Sequence, residues 1–280
     1  MAHVTLNFES DYLNQNEQVE IILPDKERGI PGETFYASGK KYKVLWLLHG
    51  TYGDATDWQR KTRIELFASE KDMIVVMPSG LNSDFVSWPK FAMGYDFPNF
   101  FVKELMPLVQ NWFPASDKRE DNFIAGLSMG GQGATQLGFA YPEKFAAIGC
   151  FSYPLLNYRA RANGDALDGK LPEMSTRFAN QVANYGTLED FLKSGYNTWD
   201  VYFDAKKRKN LPEIHFYIGE DDFFWEAHCE MKKEMKRRRI KNVPITEYPG
   251  LHHEWRVWDM AVEDFIRKVD PETVGAGMKN

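Results

Sequence analysis

Three kinds of residue in this chain could do chemistry together: one serine framed by glycines, two adjacent histidines late in the sequence, and a run of carboxylates between them. The serine lies in Gly126-Leu127-Ser128-Met129-Gly130. An apolar run, Asn122-Phe123-Ile124-Ala125, precedes it, and the mostly small residues Gly131-Gln132-Gly133-Ala134-Thr135 follow. That order reads as strand, tight turn, helix: a nucleophile elbow, which lifts a serine hydroxyl above the end of a sheet. The turn is strained, so the positions two before and two after the serine must lack bulk, and both are glycine. The competing reading is a glycine-rich turn with a helix-capping serine. The strand before it and the helix after it favour the elbow.

A serine hydroxyl is a weak nucleophile near neutral pH. It needs a base to take its proton, and the base needs a partner that fixes its tautomer. In elbow-bearing folds the chain order is serine, acid, histidine. Of six histidines, His3 and His49 precede Ser128, His215 falls inside a strand-like run and His228 on a helix. His252 and His253 sit in a loop after the last strand, and the residues alone do not separate them. Glu220, Asp221 and Asp222 directly follow the strand Ile214-His215-Phe216-Tyr217-Ile218. Three carboxylates in a row could be a solvated turn, but their place in the strand order favours a catalytic role for one of them. An oxyanion site needs two donors, one of them the backbone N–H after the nucleophile, here Met129. His49-Gly50-Thr51 ends an earlier strand, which assigns the Thr51 amide as the second donor and leaves His49 as a loop-shaping group.

These residues need strands to carry them. Lys43-Val44-Leu45-Trp46-Leu47-Leu48 and Met73-Ile74-Val75-Val76-Met77 are near-continuous apolar runs, as expected of strands buried on both faces. Phe145 to Phe151 is another strand, and Val243 to Tyr248 a last one whose Pro244 suits a sheet edge. Val4, Leu6 and Phe8 alternate with Thr5 and Asn7 in a half-buried first strand; Val19 to Leu23 is a second. Lys26 to Lys41 reads as a loop. A helix is expected from Asp57 as N-cap, with Ile64, Phe67 and Ala68 on its apolar face. Another opens at Asp96-Phe97-Pro98, one carries Ala227, Met231 and Met235, and the final one carries Trp258, Ala261, Val262, Phe265 and Ile266. Strand–helix alternation implies an α/β fold with a mostly parallel sheet flanked by helices. The alternation lapses from Ser152 to Asn210, where turn signals (Asn163-Gly164, Gly169, Pro172, Gly186, Gly195) mix with short helical pieces and nine aromatics. The expected organisation is one domain, 1–280, with an insertion, 152–210, over the active site. The long loop from Ser79 to Tyr95 carries Trp88, at a strand end where such loops build sites.

Composition narrows the classes. The 280 residues can bury a large core, and 43% hydrophobic with 26% charged content is that of an ordinary globular protein. A formal net charge of -6 argues against a nucleic-acid surface. The one basic cluster, Lys236-Arg237-Arg238-Arg239, ends a helix, where cations complement the dipole. Cys150 and Cys229 form neither a disulfide framework nor a CxxC metal pair. The N-terminal residues lack a basic segment followed by an apolar core, and no run of about 18 apolar residues exists, so no leader, no membrane partner and a cytoplasmic location are expected. No metal or organic cofactor is implied, and the sequence leaves a homo-oligomer open.

The chain resembles the esterase D-like (putative esterase) branch of the α/β-hydrolases, a group including tributyrin, acetyl-xylan and feruloyl esterases, S-formylglutathione hydrolases and secreted mycolyltransferases. The matching pieces are Val19 to Pro24, Leu47-Leu48-His49-Gly50 with Trp58, Met77-Pro78, Gly126 to Gly131, Tyr141-Pro142-Glu143-Lys144-Phe145, Gly219-Glu220-Asp221-Asp222-Phe223, and His253-Glu254-Trp255 with Trp258. The resemblance implies an α/β-hydrolase fold and a serine ester hydrolase. In tributyrin-esterase-like members an aromatic follows the acid, which points to Asp222 before Phe223, and the base opens a His-Glu-Trp triplet, which points to His253. The chain departs from the family in its doubled histidine and in Phe224-Trp225, where the family often has Leu-Tyr. Trp88 and Trp225 are the expected substrate-binding aromatics. The expected substrates are small-molecule, short-acyl esters, with acetylated sugars preferred. S-formylglutathione and feruloyl or cinnamoyl esters are the alternatives, and an acyltransferase or an inactive carbohydrate- or lipid-binding relative stands further off.

Overall fold

The apolar runs become the middle of one sheet. The structure, a computed structural model, describes residues 2–27, 29–162 and 172–272. Eight strands line up as β1 (Ala2–Ser10), β2 (Gln15–Leu23), β4 (Ile74–Pro78), β3 (Val44–Leu48), β7 (Asn122–Leu127), β8 (Ala147–Phe151), β9 (Glu213–Gly219) and β10 (Ile245–Tyr248). A separate hairpin pairs β5 (Ser87–Trp88) with β6 (Tyr95–Asp96). β1 and β2 are antiparallel, as are β2 and β4. Every pairing from β4 across to β10 is parallel.

The parallel strands are apolar on both faces because both faces are covered. Val44, Trp46 and Leu48 of β3 join Ile74, Val76, Ile124 and Ile148 in one core, with Phe97, Phe101, Leu105 and Leu137 from the helices above them. Leu45 and Leu47 face the opposite core with Val75, Met77, Phe123 and Ala125. There Phe67 and Ala68, together with Val257, Ala261, Val262, Phe265 and Ile266 of the helix Trp255–Val269, close the other side. This is the two-residue period of a strand read out on two cores.

Chain order places the site. After β3 the chain moves outward to β4, then returns to β7 on the other side of β3 and proceeds through β8 and β9 to β10. The carboxyl ends of β3 and β7 therefore lie side by side at the point where winding reverses, with Leu48 opposite Gly126. In parallel α/β sheets the crevice at such a point is where ligands bind.

Several elements differ from expectation. The helix expected from Asp57 is two, Asp57–Lys61 and Ile64–Lys71. Thr62 between them is extended and accepts the Ile64 N–H on Oγ1 at 3.3 Å, which stops the first helix. The N-cap is Thr56; the Asp57 carboxylate is instead 2.8 Å from Lys61 Nζ, one turn on. The 26–41 connection holds a short helix, Gly32–Tyr36. The helix capped by Asp96 passes from Phe97–Asn99 through a π-helical stretch, Phe100–Leu105, into Met106–Trp112. Between β8 and β9 the described residues hold helices only: Tyr158–Ala162, Pro172–Tyr185, Leu188–Lys193, Thr198–Phe203 and Ala205–Arg208. The turn signals at Asn163, Gly164 and Gly169 lie outside the described residues. No helix among the described residues is long and apolar enough to cross a membrane.

Candidate active site

Ser128 sits in the turn between β7 and the helix Met129–Ala140, with φ 51° and ψ -116°. A non-glycine residue with positive φ is strained, and such strain persists only where the surroundings over-determine it. They do here. The Ser128 N–H donates to Phe151 O at 2.8 Å. A Cβ at Gly126 would fall 2.4 Å from Gly130 C and O, and one at Gly130 would fall 2.4 Å from Leu48 O. The two flanking glycines thus let the helix press onto the ends of β7 and β3. The Ser128 side chain does not cap its helix. The first amides of that helix, Met129 among them, have no acceptor within it.

His253 and Asp222 come together from the ends of β10 and β9. Gly219, the last residue of β9, is touched by the backbone of the other loop: a Cβ there would lie 2.1 Å from Leu251 O. Asp221 N–H donates to Leu251 O at 3.0 Å, which ties the two loops in register. His253 Nδ1 is 2.8 Å from Asp222 Oδ2, and the Phe224 N–H donates to Asp222 Oδ1 at 2.9 Å. The Asp222 side chain is fully buried, and each of its oxygens has one of these partners. The His253 ring packs against Phe223, centroids 4.2 Å apart, and against Trp258 at 5.1 Å. Trp258 is itself fixed by donating from Nε1 to Ser152 Oγ at 2.9 Å. His252, by contrast, is exposed and turns Nδ1 toward Asp221 O at 3.2 Å.

The loop after β3 is held at several points. His49 is buried; its Nδ1 donates to Gly50 O at 2.7 Å, and its Nε2 accepts the Gly80 N–H at 2.9 Å. Burial pushes its pKa down, so it is a neutral clip between the β3 and β4 loops. Tyr52 N–H donates to Asn82 Oδ1 at 2.8 Å and Gly53 N–H to Gly50 O at 3.1 Å. Of these consecutive amides, that of Thr51 has no acceptor among the described residues.

Ser128, Met129, Thr51 and His253 all line one cavity of about 590 Å³. Ser128 and His253 are not hydrogen-bonded to each other, a contact that in unliganded sites commonly tightens when substrate binds. Trp88 lines the cavity and anchors its indole N–H on Ser83 O at 2.7 Å. Trp225 does not line it: half-buried on the first turn of the helix Trp225–Arg237, its ring packs against the core and stacks on His228, centroids 5.6 Å apart. Phe223 and Phe224 line the cavity from that turn instead. Asp84, Gln132, Arg177 and Asn180 also contribute; none stands in a local pattern that would mark it in the sequence. Among the described residues no three His, Cys, Asp or Glu side chains are grouped to hold a metal ion.

Fold and neighbours define a serine hydrolase of the α/β-hydrolase type. The chain matches the family described as "Putative esterase" over residues 10–267 and belongs to it. It is 30% identical over 263 residues to an acetyl esterase of Caldicellulosiruptor saccharolyticus, covering 92% of this chain and 94% of that protein. Among solved structures it resembles the substrate-bound fluorophosphonate-binding serine hydrolase FphF of Staphylococcus aureus, with 26% identity, TM-score 0.73 and coverage of 97% and 99% of the two chains. It also resembles the S-formylglutathione hydrolase FrmB of Staphylococcus aureus, with 25% identity, TM-score 0.72 and coverage of 96% and 98%. The protein is a carboxylic ester hydrolase.

Proposed function

We propose that the protein hydrolyses short-acyl esters, acetyl esters of sugars foremost, through an acyl-enzyme on Ser128. The observation that carries this reading is the His253–Asp222 contact of 2.8 Å at the wall of the cavity that Ser128 enters. With Nδ1–H donated to Asp222, His253 keeps Nε2 for the serine proton. Ser128 Oγ attacks the ester carbonyl as His253 takes that proton, and the same proton passes to the leaving alcohol. The amides of Met129 and Thr51 receive the developing oxyanion, each such donor contributing roughly 3 kcal/mol to the transition state. Water, deprotonated by His253, then releases the acid. Phe223 and Trp258 pack against the imidazole and hold its plane.

The alcohol side rests on the lining. Aromatic faces (Trp88, Tyr52, Phe223) and amide side chains (Asn82, Gln132, Asn180) share the cavity, a mixture suited to the apolar face and the hydroxyls of a sugar. In this reading the helix Pro172–Tyr185 of the 152–210 insertion supplies one wall through Arg177 and Asn180. Similarity to the acetyl esterase supports the acyl preference. A second reading, thioester hydrolysis of S-formylglutathione, is favoured by the likeness to FrmB across nearly the whole chain. A panel of p-nitrophenyl esters, acetylated sugars, methyl ferulate and S-formylglutathione tests both. Among the unactivated esters of the panel the proposal expects kcat/KM to be highest for acetylated sugars; a preference of about 10⁴-fold for S-formylglutathione would replace it, since discrimination on that scale needs a site built for a substrate's polar groups.

A further inference from the structure

Arg177 joins the loop after β3 to a buried carboxylate that the ester chemistry leaves unexplained. Its Nη2 donates to Thr51 Oγ1 at 3.0 Å, and its Nε lies 3.3 Å from Asp84 Oδ1. Asp84 has a side chain only 2% exposed, and its other oxygen accepts from Gln181 Nε2 at 2.7 Å. Arg177 and Gln181 are four residues apart on the helix Pro172–Tyr185 and so face the same way. A buried carboxylate is costly unless paired, so something must hold Asp84 in place. Its backbone is held too: Asp84 and Phe85 have φ of 56° and 57°, two successive non-glycine residues in the left-handed region. For a bulky residue such as Phe85 that conformation is an outlier. The Phe85 ring fixes it, wedged where a Cβ on Gly80 would fall 2.2 Å, and one on Gly133 2.5 Å, from its atoms. The ring drives Phe85 into the core, and the turn presents Asp84 to Arg177.

We infer that Arg177 is a positioning residue for the oxyanion loop: anchored by Asp84, it grips Thr51 Oγ1 and thereby aims the Thr51 amide at the acyl oxygen. This rests on the reading of Thr51 as an oxyanion donor. The loop is then gripped on three sides, by His49 beneath, Asn82 at Tyr52 and Arg177 at Thr51. The last grip comes from the segment between β8 and β9, far from the loop in sequence, so the insertion contributes to the rate as well as to the shape of the cavity. Arg177 already faces the buried Asp84 carboxyl through Nε and Thr51 through Nη2, which argues for a strut rather than a receptor for an anionic substrate.

The test compares Thr51→Val, Thr51→Ser, Arg177→Met and the double variant Thr51→Val/Arg177→Met in the full chain, with p-nitrophenyl acetate. Thr51→Val and Arg177→Met should each lower kcat about tenfold, the scale of one hydrogen bond to a charged group, with KM moved by no more than roughly twofold. The double variant should lose no more than the worse single, because both remove the same contact. Thr51→Ser keeps the acceptor oxygen and should lose far less than Thr51→Val. Should Arg177→Met fail to fold around the unpaired Asp84, the Thr51→Val against Thr51→Ser comparison decides alone. Losses that multiply in the double variant, an effect confined to KM, or equal losses for Thr51→Val and Thr51→Ser would overturn the inference. Failure of the underlying reading is seen separately: a folded Thr51→Pro variant, which lacks that amide N–H, with kcat unchanged would show that Thr51 is no oxyanion donor, and activity that survives Ser128→Ala would sink the nucleophile.

Discussion

At the residue scale, the proposed roles follow from which atoms face which. His253 presents Nδ1 to a buried carboxylate, whereas its neighbour His252 presents Nδ1 to a backbone carbonyl. His253→Ala should therefore lower kcat/KM for p-nitrophenyl acetate by orders of magnitude and His252→Ala by less than about tenfold, measured on proteins of matched circular dichroism. Asp222→Asn keeps the shape but offers an NH2 where the imidazole needs an acceptor; a loss of about 10⁴ in kcat is expected. The residues themselves narrowed the base to two adjacent histidines and the acid to three carboxylates. Nothing local could go further, because neighbours in a loop differ only in direction, which the packing of Phe223 and Trp258 decides. The same limit explains Trp225: its type suited a sugar site, but a helix starting at that residue points it at His228 instead.

At the scale of elements, close backbone approach is what the site is built on. Gly130→Ala would place a Cβ 2.4 Å from Leu48 O and 2.5 Å from His49 O. It should cost about 1–3 kcal/mol of stability in urea unfolding, the usual range for overpacking, and disturb both proposed oxyanion donors at once. Gly195→Ala, where a Cβ would meet nothing within 4 Å, is the control and should change neither. A second prediction belongs to β2. Glu17 is buried on that strand with Oε1 unpartnered, and burial lifts its pKa to about 7. The folded state then holds a proton that the unfolded chain releases near 4.5, so stability falls as pH rises from about 4.5 to 7 and stays low above. Glu17→Gln should raise stability by about 3 kcal/mol at pH 8 and hardly at all at pH 4.5, read as melting temperature against pH; a difference independent of pH would contradict this. The strands were legible because apolar runs and two-residue alternation are local signals. The break at Thr62 and the π-helical stretch at Phe100–Leu105 were not, since each is settled by side-chain bonds and core fit rather than by periodicity.

At the scale of the whole molecule, the winding reversal between β3 and β7 and the pairing of β9 with β10 bring four loops to one end of the sheet. Strand order alone directs Ser128, Thr51 and the candidate acid and base to that end, which is why they are legible in the sequence. The long-range part was not predictable: Arg177 and Asp84 meet through a helix and a strained turn that only the assembled fold juxtaposes. The central claim is that ester bonds are broken by Ser128 at this end of the sheet. The most direct measurement is steady-state hydrolysis of p-nitrophenyl acetate by Ser128→Ala, with folding verified by its melting curve. A folded protein with hydrolysis reduced by roughly 10³-fold or more is the predicted result, and a folded Ser128→Ala that retains most of the activity would contradict the account.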